Sequence, residues 1–146
     1  NGEWLYCINE LDGTISALSF NAEDGGLTHI QTVDTLPDDF DGDNTTAELA
    51  IHPNGKFLYG SNRGHDSTAV YTIDQESGAL NRIQLEPTQG GHPRFVGLDP
   101  TGTFYLAANA HANNIVSFRV DQDTGRIDPT GHQTSCPAPI CILFLP

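Results

Sequence analysis

No methionine occurs anywhere in this 146-residue chain, and only 6 Lys and Arg stand against 19 Asp and Glu, a formal charge of −13. That balance excludes a nucleic-acid partner, which needs a basic face for phosphates, and disfavours an anionic lipid surface. Long apolar runs are missing too. The longest, "ICILFLP" near the end, is far too short to span a bilayer, and no secretory leader pattern is present. The three cysteines, Cys7, Cys136 and Cys141, fall at no zinc spacing and cannot all pair. Cys136 and Cys141 in "CPAPIC" are close enough in sequence to bridge, but a reduced chain is the expectation. No window sustains a helical period. With no methionine and an opening "NGEWLYCINE", we expect a piece of a longer protein.

What remains is strand and turn chemistry, with 15 Gly and 9 Pro. It is organised as a repeat of about fifty residues. "GEWLYCINELDGTISALSFNAEDGGLT", from Gly2, aligns without gaps with "GKFLYGSNRGHDSTAVYTIDQESGALN" from Gly55 and "GTFYLAANAHANNIVSFRVDQDTGRID" from Gly102. Gly2/Gly55/Gly102, Asn9/Asn62/Asn109 and Gly25/Gly78/Gly125 form columns. "HPNG" and "DPTG" read as tight turns, and "DQESG" and "DQDTG" as hairpin turns whose Gly supplies positive φ. Strands are expected at 47–52, 56–62, 68–74 and 80–86, then at 94–99, 103–109, 114–120 and 127–133. The first unit lacks its opening strand, and "PICILFL" reads as an opening strand without followers.

Four-stranded antiparallel units at this period specify an all-β chain of β-propeller blades. The units run at about 1–36, 47–88 and 94–134, with a closing strand at 139–145. Two full blades plus two partial ones make an incomplete arc. Completing it takes missing N-terminal blades, the favoured expectation, or self-association. WD40 repeats are excluded because no Gly-His and Trp-Asp pair brackets a unit. A β-sandwich does not require the ungapped repeat.

Glu10, Arg63 and Ala110 each follow the shared Asn, so they are expected at one height on neighbouring blades, at a rim. A Glu and an Arg there, beside an Ala that leaves room, make a polar pocket. The competing reading is a surface salt bridge of little energetic worth. Glu48 is a charge inside an apolar opening strand, placed to face the channel or to pair with Arg63. Arg94 opens the equivalent strand of the next blade, in the column of Ala47 or Glu48. His92 precedes Pro93 near the same mouth and is a candidate for substrate contact. His65 and His111 read as solvated loop residues, and His52, matching Asp99, as a turn cap. The loop "PDDFDGDNTT" fails as an EF-hand: counted from Asp39, the sixth place is Asn44 rather than Gly and the twelfth is Ala50 rather than Glu.

At "YCINEL", "AELAIHPNGKFLYGSNRGHDSTAVY" and "PTGHQTSCPAPICILFLP" the chain resembles the seven-bladed lactonase family, which includes propeller-type 6-phosphogluconolactonases and fungal 3-carboxy-cis,cis-muconate lactonizing enzymes. The resemblance covers essentially the whole chain and implies the C-terminal part of a seven-bladed ring, closed by "PICILFL" joining the N-terminal blade. It implies a cytoplasmic enzyme of carbohydrate metabolism that hydrolyses a small-molecule lactone without cofactor or metal. Glu10 falls on the Glu of the family's "NE", Arg63 on the Arg after "SN", and Arg94 on the Arg of "PR". A further His and Arg of the family's cluster are expected upstream of Asn1, so activity is expected of the full-length parent and not of this piece alone.

Lactone hydrolysis needs a base or orienter for water and a cation where charge builds on the carbonyl oxygen. Glu10 suits the first role if partly desolvated. Arg63 suits the second, or grips a phosphate or carboxylate with its fork. A muconate-type cyclase would use the same groups, and a propeller rim also serves non-catalytic binding.

Overall fold

Period-two alternation and Gly-bearing turns cut the chain into antiparallel strands in three separate sheets. The computed structural model describes residues 2–145. The first sheet holds β1 (Trp4–Asn9), β2 (Thr14–Phe20) and β3 (Leu27–Asp34), in that order. The second runs β4 (Thr45–Ile51), β5 (Phe57–Arg63), β6 (Ser67–Ile73) and β7 (Leu80–Pro87). The third runs β8 (Pro93–Leu98), β9 (Phe104–Asn109), β10 (Asn114–Val120) and β11 (Ile127–Ser135). The opening strand β4 packs on both β8 and β1, so the sheets turn about a shared inner edge. Residues 139–145, expected as a strand, carry none here. A strand needs a partner edge, and this segment forms no ladder among the described residues.

Each sheet grips the next through repeat-matched contacts. The aromatic opening the second strand lies under the hairpin Gly one blade on. An added Cβ at Gly78 would come within 2.5 Å of Trp4, and one at Gly125 would strike the Phe57 ring. Tyr6 Oη donates to the Gly78 carbonyl at 2.9 Å and Tyr59 Oη to that of Gly125 at 3.0 Å. Gln31 brackets the backbone of Leu80, donating to its carbonyl at 3.3 Å and accepting its N–H at 2.8 Å. Gln84 treats Ile127 in the same way, at 2.8 and 2.9 Å.

The Asn column works as a strut. Asn62 is fully buried, donates to the Thr35 carbonyl and Ser67 Oγ, and accepts from Thr35 Oγ1 at 2.7 Å. Asn109 does the matching job on Thr88, donating to its carbonyl at 3.0 Å. Each Asn thus ties its blade to the connection arriving from the blade before. Replacing Asn62 by Ala would orphan the Thr35 carbonyl in a fully buried place. The expected cost is about 2 kcal/mol, read as a lower urea midpoint with unchanged slope.

Two apolar cores fill the spaces between the three sheets. One joins Phe57, Tyr59, Val70, Val96, Tyr105 and Phe118, and the other Ile15, Leu58, Tyr71 and Leu80. The outer flank of the first sheet differs. Leu27 is 53% exposed, while its repeat partners Leu80 and Ile127 are 4% and 0% exposed.

Candidate active site

The rim is made where second strands end. Glu10 leaves β1, Arg63 is the last residue of β5, and Ala110 follows β9, so the column becomes a row across adjacent blades. Arg63 Nη2 donates to Glu10 Oε1 at 2.5 Å and to the Thr46 carbonyl at 2.6 Å. The Arg63 side chain is only 11% exposed, while that of Glu10 is 63% exposed. Arg63 Nε is buried without a partner among the described residues. A guanidinium held in this way keeps a donor in reserve. The partial desolvation expected of Glu10 is not supplied by the described residues.

Arg63 separates two openings. A cavity of about 160 Å³ is lined by Ile8, Glu10, Thr46, Ala47, Arg63 and Arg94. A cleft of about 530 Å³ on its other side includes Asp43, Asn44, Arg63, Asp66, His92 and His111 in its walls. Arg94 therefore joins Glu10 and Arg63, and His92 meets Arg63 from the cleft. Glu48 lines neither, and the ion pair of Arg63 is with Glu10. Arg94 stands one repeat from Ala47, and register shifts at equivalent places, between Thr46 and Leu49 in β4 and between Pro93 and Phe95 in β8, keep the two in one column with Glu48 outside it.

His92 stands on left-handed backbone, φ 61°, unusual for a residue with a side chain. Its N–H donates to Asp66 Oδ1 at 2.8 Å, and its carbonyl accepts from the Ala110 N–H at 2.9 Å. Its ring stacks on that of His111, centroids 4.0 Å apart and planes 17° from parallel. Burial first, then the charges of His111, Arg63 and Arg94, hold His92 below the ordinary histidine value of 6.5, with Asp66 opposing. A histidine with a lowered folded pKa supports the fold above its unfolded value and withdraws that support as pH falls through the folded one. Stability is thus expected to drop below about pH 6.5. Melting curves at pH 7.5 and 5.5 should show a smaller loss in His92→Asn.

Two other histidines, His52 and His65, are structurally committed. His52 is buried, accepts the Asn54 N–H at Nδ1 and meets the Gly102 carbonyl at Nε2, tying one turn to the matching turn of the next blade. His65 bonds Ser67 Oγ through Nδ1 and packs edge-on against Phe40, so it is a packed residue rather than a solvated one. Sequence reasoning missed the cleft partner Asp66, and read His111 as a solvated loop residue; it is exposed, but stacked on His92. The available signal was that His92 and His111 replace Thr45 and Gly64 of the preceding repeat.

Sheets arrayed around a common inner edge, with a guanidinium and carboxylate bridging two of them at the rim, define a β-propeller arc. Residues 1–144 match the family described as lactonase, 7-bladed β-propeller, and the chain belongs to that family. It is 36% identical over 143 residues to a 6-phosphogluconolactonase of Bacillus subtilis, covering 98% of this chain and 41% of that protein. It is 43% identical over 130 residues to one from Formosa agariphila, covering 87% and 36%. Among solved structures, a Lactobacillus plantarum protein superposes with a TM-score of 0.95 at 30% identity, over 99% of this chain and 42% of that one. The periplasmic gluconolactonase PpgL of Pseudomonas aeruginosa gives 0.89 at 28% identity, over 94% and 38%. The chain spans about two fifths of the length of these relatives.

Proposed function

We propose that this chain belongs to a lactone hydrolase acting on a sugar lactone such as 6-phosphogluconolactone, with Arg63 at the centre of its site. The observation that carries the reading is the buried Arg63, fixed by Glu10 and the Thr46 carbonyl between two openings. The names of the relatives, 6-phosphogluconolactonase and gluconolactonase, supply the substrate class.

Hydrolysis adds water to the lactone carbonyl, whose oxygen becomes negative on the way. A preorganised, poorly hydrated guanidinium stabilises that charge without having to reorganise. Arg94 adds a second cation on the small cavity, suited to the phosphate or carboxylate of the substrate. Glu10 holds Arg63 in place and is the candidate to orient or deprotonate water from that side; His92 contacts substrate from the cleft.

In the same reading, further sheets of this repeat cover the open flanks. They come from N-terminal blades of a longer protein or from self-association. The exposure of Leu27 against its buried repeat partners supports this. The cytoplasm is the setting we assign, where a phosphorylated sugar lactone is held. No helix among the described residues is long and apolar enough to cross a membrane.

The test is proton release from 6-phosphogluconolactone by the whole protein that contains this chain, in parallel with a muconolactone. Acceleration of the first above its spontaneous opening is the expected result. Turnover of the second alone would move the reading to a muconate-type cyclase, and turnover of neither to a non-catalytic binding propeller.

A further inference from the structure

Two imidazoles face each other where the repeat is broken. His92 comes from the β7–β8 connection and His111 from the β9–β10 turn, and these segments are tied by backbone bonds. The His111 and Ala110 N–H groups donate to the carbonyls of Gly91 and His92, at 3.1 and 2.9 Å. One blade earlier, the same positions hold Thr45 and Gly64, on the opposite side of the same cleft. The left-handed backbone at His92 costs about 1 kcal/mol or more, a strain seen where geometry serves function. Unlike His52 and His65, neither His92 nor His111 has a ring hydrogen bond within the described residues. Their nitrogens are uncommitted, and both rings line a cleft walled on another side by Arg63.

We infer that His92, stacked on His111 across the cleft from Arg63, is the general base of lactone opening, with His111 as its positioning residue. The inference rests on the lactone-hydrolase reading and leaves Glu10 to hold Arg63. In the step, a water oxygen bonds to the carbonyl carbon while its proton passes to an imidazole nitrogen of His92. The carbonyl oxygen takes up negative charge against Arg63. Collapse breaks the bond between that carbon and the ring oxygen, which takes the proton back from His92. The products are a hydroxyl and a carboxylic acid, which ionises into solvent.

An imidazole must be neutral before it can act as a base. The groups facing His92 are His111 from the β9–β10 turn, Arg63 from β5, Arg94 from β8 and Asp66 from the β5–β6 turn; all but Asp66 favour the neutral ring. Asp43 stands on the far wall of the cleft.

The test is a pH profile of kcat/KM for 6-phosphogluconolactone hydrolysis by the whole protein that contains this chain, as wild type, His92→Asn, His111→Gln and Glu10→Gln. Melting curves check folding; Asn tolerates the left-handed backbone. His92→Asn is expected to lower kcat/KM about 100-fold and to abolish the acid limb. His111→Gln should move that limb to higher pH, because removing the stacked ring lets His92 titrate nearer the ordinary value. The His92 midpoint followed by imidazole NMR should move in the same direction. An acid limb that survives in His92→Asn and disappears in Glu10→Gln would overturn the inference while leaving the hydrolase reading intact. So would an NMR midpoint unmoved by His111→Gln. A wild type that hydrolyses no lactone overturns both.

Discussion

Gly125→Ala is expected to be among the most destabilising single-methyl changes in this chain, costing about 3 kcal/mol or more. Two effects add. The backbone at Gly125 has φ 75°, which strains any residue with a Cβ, and the new methyl would enter the space of the Phe57 ring, with Cε1 only 2.8 Å away. Phe57 is 4% exposed and walled in by Tyr59, Tyr105 and Phe118, so its ring has nowhere to go. Gly25→Ala is the internal control. It shares the backbone, φ 76°, but nothing lies within 4 Å of the added carbon. The strain alone should then cost about 1 kcal/mol, and the difference between the two variants measures blade-to-blade packing. The comparison also reports on the flank of the first sheet. If another sheet of the repeat sits there with its own aromatic under Gly25, both variants would lose stability equally in urea titrations of the whole protein.

The fold was largely legible because its turns are chemically demanding. The Gly25/Gly78/Gly125 column is visible in the alignment because each hairpin needs positive φ, and all three glycines have it. The reason Gly78 and Gly125 also need to be small was not legible, since the ring that covers each belongs to the preceding repeat. The Asn column likewise marked the rim without disclosing its work. Its partners Thr35 and Thr88 lie in connections outside the aligned strands. In the site, the nearness of Glu10 and Arg63 followed from symmetry, because equal columns on adjacent blades must be neighbours. The repeat offset already sets Arg94 against Ala47; what spacing does not encode is the bulge at that place in each opening strand, and that Arg94 and Ala47 line the small cavity while Glu48 does not. Where the repeat is broken the sequence was mute: His92 and His111 meet through two loops joined to each other by backbone bonds. The strand expected at 139–145 fails for a related reason: an apolar pattern proposes a strand, but only a neighbouring edge makes one.

Loss of the Arg63 guanidinium is expected to have the largest effect on catalysis. Arg63→Gln should lower kcat by about 10²–10³-fold, the scale set by removing one hydrogen-bond donor from a developing oxyanion. Arg63→Lys should recover little of it. A lysine brings the charge but not the planar fork, and Arg63 uses one nitrogen for both the Thr46 carbonyl and Glu10 while Nε stays unpartnered. Glu10→Gln separates structure from chemistry. A neutral amide can still accept from Nη2, so if Glu10 only positions Arg63 the loss should be mild and confined to kcat. If its charge is needed for proton transfer, the variant should also lose the acid limb of the rate profile. Equal rates in wild type and Arg63→Gln would reduce the Glu10–Arg63 pair to a blade-joining contact.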